Sequence, residues 1–142
     1  MTTPEGAMKP YVIEFHVAGL PHMTNNNRRH WRAVHKHAVK WKKATAQAVW
    51  LSGGIPEFPL ERAMLTLTRV SSMEPDLDGL ISGFKHVLDG LVECGVLAND
   101  KPSNIGIPDY RWEKGAPGKG MIKVRVEEFK PQQTLTMGDE LK

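Results

Sequence analysis

Residues 63–95 read AMLTLTRVSSMEPDLDGLISGFKHVLDGLVECG, and a change of period inside them decides the fold. From Ala63 to Val70 apolar and polar residues alternate, the pattern of a strand that ends near Ser71-Ser72. Beyond Glu74-Pro75-Asp76 the period lengthens. Leu80, Phe84, Val87, Leu88, Leu91 and Val92 recur at helical steps, which predicts a helix from about Asp78 to Glu93 closed by Gly95. Gly79, Gly83 and Gly90 each weaken that helix by about 1 kcal/mol relative to Ala, so another requirement must hold them there. Gly79 and Gly83, four apart, would let a backbone or a ligand come close.

Working outward, Tyr11 to Ala18 alternates with period two, Ile13, Phe15 and Val17 on one side and Glu14 and His16 on the other. Gly19-Leu20-Pro21 breaks this strand, and Thr24-Asn25-Asn26-Asn27 can cap a following helix. That helix is expected from about Arg29 to Leu51, stopped by Ser52-Gly53-Gly54 and Pro56, with Val34, Ala38, Trp41, Thr45 and Ala48 as its buried stripe. Tyr110 to Glu113 and Met121 to Phe129 read as an antiparallel pair across the glycine-rich turn from Gly115 to Gly120. The order strand, helix, strand, helix, strand, strand predicts a single α+β domain with one small mixed sheet and two main helices. Residues 1–9 and 131–142 are expected to be loose tails.

A chain of 142 residues has length for one moderate core. No apolar run is long enough to span a bilayer, and Met1 to Met8 lack the basic-then-apolar pattern of a signal peptide, so no membrane partner is expected. A single cysteine, Cys94, excludes an intramolecular disulfide and a multi-cysteine zinc site; a reducing, cytoplasmic setting is the expectation. The net charge is only +3, but its distribution is uneven. Phe15 to Pro56 contains no Asp or Glu and carries Arg28, Arg29, Arg32, Lys36, Lys40, Lys42 and Lys43, leaving the rest of the chain at −4. A solvated helix face ordinarily mixes Glu with Lys. This separation points instead to a polyanion, most simply nucleic acid, contacted by Arg28, Arg29, Arg32, Lys36, Lys40 and Lys43.

Asp76-Leu77-Asp78 stands where strand gives way to helix. Residues two apart in extended chain point the same way, so both carboxylates can face one point, and two hard oxygen donors suit Mg²⁺. The plainer alternative is that Asp76 and Asp78 cap the helix. An EF-hand is excluded, because its closing acidic position is Val87. On a continuous helix Lys85, seven residues after Asp78, is rotated by about 700° and returns to within about 20° of the same face. Asp100, in Ala98-Asn99-Asp100-Lys101, could come back as a third carboxylate. Gly115 to Lys119 lacks the spacing of a phosphate-binding loop. His35 and His37 diverge on a helix, which disfavours a metal pair.

The run Asp76-Leu77-Asp78-Gly79, then Lys85, Leu88-Asp89-Gly90-Leu91, Gly95-Val96-Leu97 and Asn99-Asp100 resembles the core of the RusA family of Holliday-junction resolvases. The opening Gly19-Leu20-Pro21 and Asn25-Asn26-Asn27-Arg28 is similar to that family's Pro-rich, Asn-Asn-rich start. The resemblance spans roughly Val12 to Glu127, and its specific part is the Asp-to-Asp core. It implies a small DNA endonuclease in which Asp76, Asp78 and Asp100 bind Mg²⁺, with Mn²⁺ as a substitute, and Lys85 is the catalytic-site lysine. It also implies a homodimer, as does the near two-fold symmetry of a four-way junction. The chain departs from the family at Gly79, where Asn is common, and at Asn99, where Asp is frequent. Its lysine is also later, since the family's best-known member has one at the position of Ser82. The alternatives are a non-catalytic DNA-binding protein and a nuclease that prefers flaps, forks or replication intermediates.

Overall fold

The computed structural model describes residues 10–21 and 31–129. Eight elements follow one another: β1 (Val12–Ala18), α1 (Trp31–Leu51), β2 (Ala63–Ser71), α2 (Leu77–Ser82), α3 (Lys85–Glu93), α4 (Pro102–Ile105), β3 (Asp109–Lys114) and β4 (Met121–Glu128). The expected start of the first helix at Arg29, the capping loop before it and the tails 1–9 and 131–142 lie outside the described residues.

The strands form one mixed sheet in the order β1-β4-β2-β3, antiparallel except for the parallel pair β2 and β3. This is the α+β architecture expected from the alternation of periods. The last two strands, however, are not a hairpin. β4 inserts between β1 and β2, and β3 takes the free edge of β2. The connection from Gly115 to Gly120 therefore has to cross the end of β2, and its glycines answer that need. A Cβ at Gly115 would stand 2.7 Å from Val70 Cγ1, and one at Gly120 would stand 2.5 Å from Leu20 Cγ. The Gly115 and Gly19 amides close the crossing by donating to the Ser71 and Gly120 carbonyls, each at 2.9 Å.

One face of the sheet is apolar. Ile13 and Phe15, Leu65 and Leu67, and Ile122, Val124 and Val126 share a core with Trp41 and Val49 of α1 and Val87 and Leu91 of α3. The α1 stripe is Trp41, Thr45 and Val49, slightly rotated from the expected one. Val34 is exposed, while Ala38 and Ala48 are half-buried. The rotation follows from α3, which lies close beside α1 at Gly90. A Cβ there would be 3.1 Å from Thr45 Cβ and 3.2 Å from Lys42 Cα, which accounts for the glycine.

The second long helix is divided. The Gly83 amide still donates to Gly79 O, but Phe84 takes φ −99°, ψ 4° and its amide donates three residues back to Ile81 O at 3.1 Å. α3 then begins at Lys85. The step turns Phe84 into the core, 1% exposed and with its ring centroid 6.0 Å from that of Tyr110 on β3. Apolar spacing ran through this break unaltered, so periodicity could not reveal it.

Candidate functional site

β2 and β3 end together, Ser71 beside Lys114, and the chain leaving β2 is fixed before it turns into α2. The Trp112 indole N–H donates to Ser71 Oγ at 3.0 Å, and that hydroxyl donates to Met73 O at 2.8 Å. Asp76 follows with extended backbone, φ −74° and ψ 171°, as the N-cap of α2. Its Oδ1 accepts from the Gly79 amide at 2.8 Å. Asp78 lies in the first turn of the same helix, and both carboxylates are exposed. The capping role is thus present, and it engages one oxygen of Asp76 only. Ligands of parallel strands gather beyond their C-terminal ends, which is where this pair stands.

α1 presents its positive end to the same side. Its far end is tied to the start of β1, Tyr11 Oη donating to Gly54 O at 2.8 Å, so the helix runs back along β1. Its middle is level with the end of β1, where a Cβ at Gly19 would stand 3.9 Å from the Trp41 ring, so its first turns run past the end that Ala18, Met121 and Val70 share. Lys36, Lys40 and Lys43 are exposed and have no ion pair among the described residues. Arg32 is exposed too, with its guanidinium 5.3 Å from the Trp31 ring centroid. Arg28 and Arg29 lie outside the described residues. Lys42, which was not counted among the contacts, points to α3 and pairs with Glu93 at 2.7 Å.

The open face of the sheet offers less. Lys123 pairs with Glu113 at 3.0 Å, and Arg125 pairs with Glu14 and with Glu127. Its charges are neutralised in rows across β1, β4 and β3, leaving little field for a polyanion.

Two sequence expectations change here. Lys85 is not on the helix that carries Asp78; it is the first residue of α3, and without a continuous helix its rotation relative to Asp78 is not set by helical spacing. Its exposed amine lies 3.7 Å from the half-buried Asp89, an i,i+4 pair of small energetic weight. Asp100 does not return to Asp76 and Asp78. Leu97, three residues before it, is bridged to Leu60, and Asn104, four residues after it, donates to Glu61 O at 2.8 Å. Asp100 is therefore held near the start of β2, whereas Asp76 follows its end, and a nine-residue strand is roughly 30 Å long. Among the described residues no group of three or more His, Cys, Asp or Glu side chains is placed to hold a metal ion.

Two buried polar groups escaped the sequence reading. His86 on α3 stacks edge-on against His37 of α1 at 5.8 Å, and its Nδ1 is buried without a hydrogen bond, 3.8 Å from Asp89 Oδ2. Burial lowers its pKa below the usual 6.5, outweighing the opposite pull of Asp89. Arg69 on β2 is 9% exposed, with its Nε also unpartnered. A signal existed for Arg69: it falls on the apolar phase of a strand whose residues 63, 65 and 67 are all core.

No helix among the described residues is long and apolar enough to cross a membrane. No family model matches the chain, and no curated protein matches it.

Proposed function

We propose that this protein is a Mg²⁺-dependent, structure-specific DNA endonuclease that cuts four-way junctions by paired nicks, acting as a homodimer in the cytoplasm. The observation that carries the reading is the meeting of two unlike features at one end of the sheet. The exposed pair Asp76 and Asp78 follows β2, and the amines of an acid-free helix, without an ion pair among the described residues, lie on the element that runs past the same end of the sheet. The amines would hold flanking phosphates without reading bases. The carboxylates fit a hard cation that keeps several waters and needs only one or two protein oxygens. When bound, such an ion supplies Lewis acidity at a phosphodiester and an activated water. Asp76 and Asp78 would hold it, the cap bond to Gly79 fixing the Asp76 side chain, and Lys85, at the start of the next helix, would add positive charge toward the phosphate.

Asp100 enters this scheme from a second copy. The bracketing of Asp100 at the start of β2 argues against its joining Asp76 and Asp78 within one chain. A two-fold axis that sets the two β2 strands head to tail would bring each Asp100 to the other copy's Asp76 and Asp78. Mixing two inactive variants tests this directly. Asp78→Asn and Asp100→Asn, each unable to nick a labelled four-way junction in Mg²⁺, should regain activity when their subunits are exchanged, because one of the two sites in the mixed dimer is intact. Absence of recovery in a mixture shown to contain heterodimer would refute the shared site. Metal-independent binding with no nicking by the wild type would refute the nuclease. That second outcome belongs to a non-catalytic DNA-binding protein, a reading favoured by the lack of a three-ligand cluster among the described residues. Flap and fork substrates run alongside would identify a nuclease of other branched DNA.

A further inference from the structure

Arg69 is built into β2 as though it were a core residue. Its register neighbours are Trp112 on β3 and Ile122 on β4, and it is 9% exposed. A guanidinium has five N–H donors and no acceptor, so a buried one needs oxygen atoms around it. Arg69 has very few. Nη1 donates to Pro21 O at 3.3 Å, a long contact; Nε is buried with no partner, and no carboxylate pairs with it among the described residues. Burial lowers its pKa, so the surroundings work against the charge they enclose. Nor does the adjoining chain bring a counterion, because the sequence has no Asp or Glu from Phe15 to Pro56.

The position of this unsatisfied cation matters. It lies two residues before Ser71, at the end of the parallel strand pair and on the strand that leads to Asp76. The indole beside it is held by its own hydrogen bond to Ser71 Oγ. Trp41 of α1 lies beside Gly19 at this end, and the exposed Lys36 and Lys40 precede it on the helix.

We propose that Arg69 is an anion receptor whose unpaired Nε–H takes a phosphate oxygen of the DNA strand lying across the ends of β2 and β3, with the Pro21 carbonyl as its partner until the strand arrives. That the anion is DNA rests on the nucleic-acid reading above; the unpaired guanidinium does not. Arginine suits this task over lysine because its planar fork can bind two oxygens of one phosphate, whereas lysine offers a point charge.

The test has two arms. In the first, thermal midpoints are followed with inorganic phosphate at constant ionic strength. The wild type should rise with phosphate, Arg69→Met should not, and Arg69→Lys should respond weakly. In the second, affinity for a four-way junction is measured without divalent metal across a salt series. Arg69→Met should bind about tenfold more weakly at low salt and lose about 1 from the salt slope, the share of a single phosphate contact. Should Arg69→Met fail to fold, Arg69→Lys serves in both arms, with a reduced phosphate response expected. An equal phosphate response in wild type and variants would overturn the receptor. A lost phosphate response with an unaltered junction slope would overturn the assignment to DNA. If the wild type binds no junction, the endonuclease reading fails on its own, and the phosphate arm still decides whether Arg69 receives an anion.

Discussion

Asp76 has a structural role in plain view and a chemical one inferred, and two substitutions separate them. Asp76→Ala removes the oxygen that accepts from the Gly79 amide at 2.8 Å. Loss of an N-cap of this kind costs about 1 kcal/mol, which for a chain of this size lowers the midpoint by about 3 °C. Asp76→Asn keeps an acceptor oxygen at the same place, so stability should change by only a few tenths of a kcal/mol. The two variants should differ in heat but not in chemistry. If the carboxylate helps to hold Mg²⁺, both lose the charge the ion needs, and nicking of a labelled junction should fall by about 100-fold or more in each. That loss corresponds to about 2.7 kcal/mol of transition-state stabilisation. Calorimetry and single-turnover cleavage on the same preparations give both readouts. A wild-type rate in Asp76→Asn, with the expected heat loss in Asp76→Ala, would leave Asp76 as a cap and remove it from the metal site.

Three further outcomes follow from the packing and the charge. Replacing Lys36 and Lys40 with Gln should flatten the salt dependence of junction affinity by up to about 2 per protomer, while the metal dependence of cutting persists; an unchanged slope moves the DNA surface elsewhere. Gly90→Ala gains about 1 kcal/mol of helix propensity but sets a Cβ 3.2 Å from the Lys42 backbone, and overpacking of 1–3 kcal/mol should win by about 1 kcal/mol, so a raised midpoint would contradict the tight α1–α3 approach. His86, faced by Asp89, Lys85, Lys42 and His37, has its folded pKa lowered, chiefly by burial. Its stability contribution is therefore full above the unfolded value of 6.5 and lost as pH falls through the folded one. Midpoints of wild type and His86→Gln should converge between about pH 7.5 and about pH 5, and curves that stay parallel would deny His86 that part.

What could be read from the sequence was whatever local chemistry dictates. The strand Ala63–Ser71 showed itself by alternation, α1 by its spacing, and the entry to α2 by Asp76 following Pro75. What stayed hidden depends on partners distant in the chain. Nothing in Asp109–Lys114 says that it pairs with β2 in parallel and not with β4. Leu80, Phe84 and Val87 keep helical spacing through a break set by the Tyr110 ring. Asp100 looked able to reach Asp76 until Leu97 and Asn104 were seen bound to the start of β2. Arg69 was legible in principle, as a cation on an apolar phase, but that phase reads as core only once the helices cover it.

The insertion of β4 between β1 and β2 also governs how the molecule can be made. Among the described residues Val12 to Ala18 have no neighbouring strand until Met121 to Glu128 exist, so β1 waits for β4. α1, β2 and the helices that follow can associate earlier, yet the sheet stays split into two unjoined parts with open edges. Pairings this remote in sequence carry a large loop-closure cost and slow folding, and unpaired edges invite association with other chains. A ribosome-bound chain stopped before residue 121 thus carries an incomplete sheet, which closes only once residues 121–128 have been made.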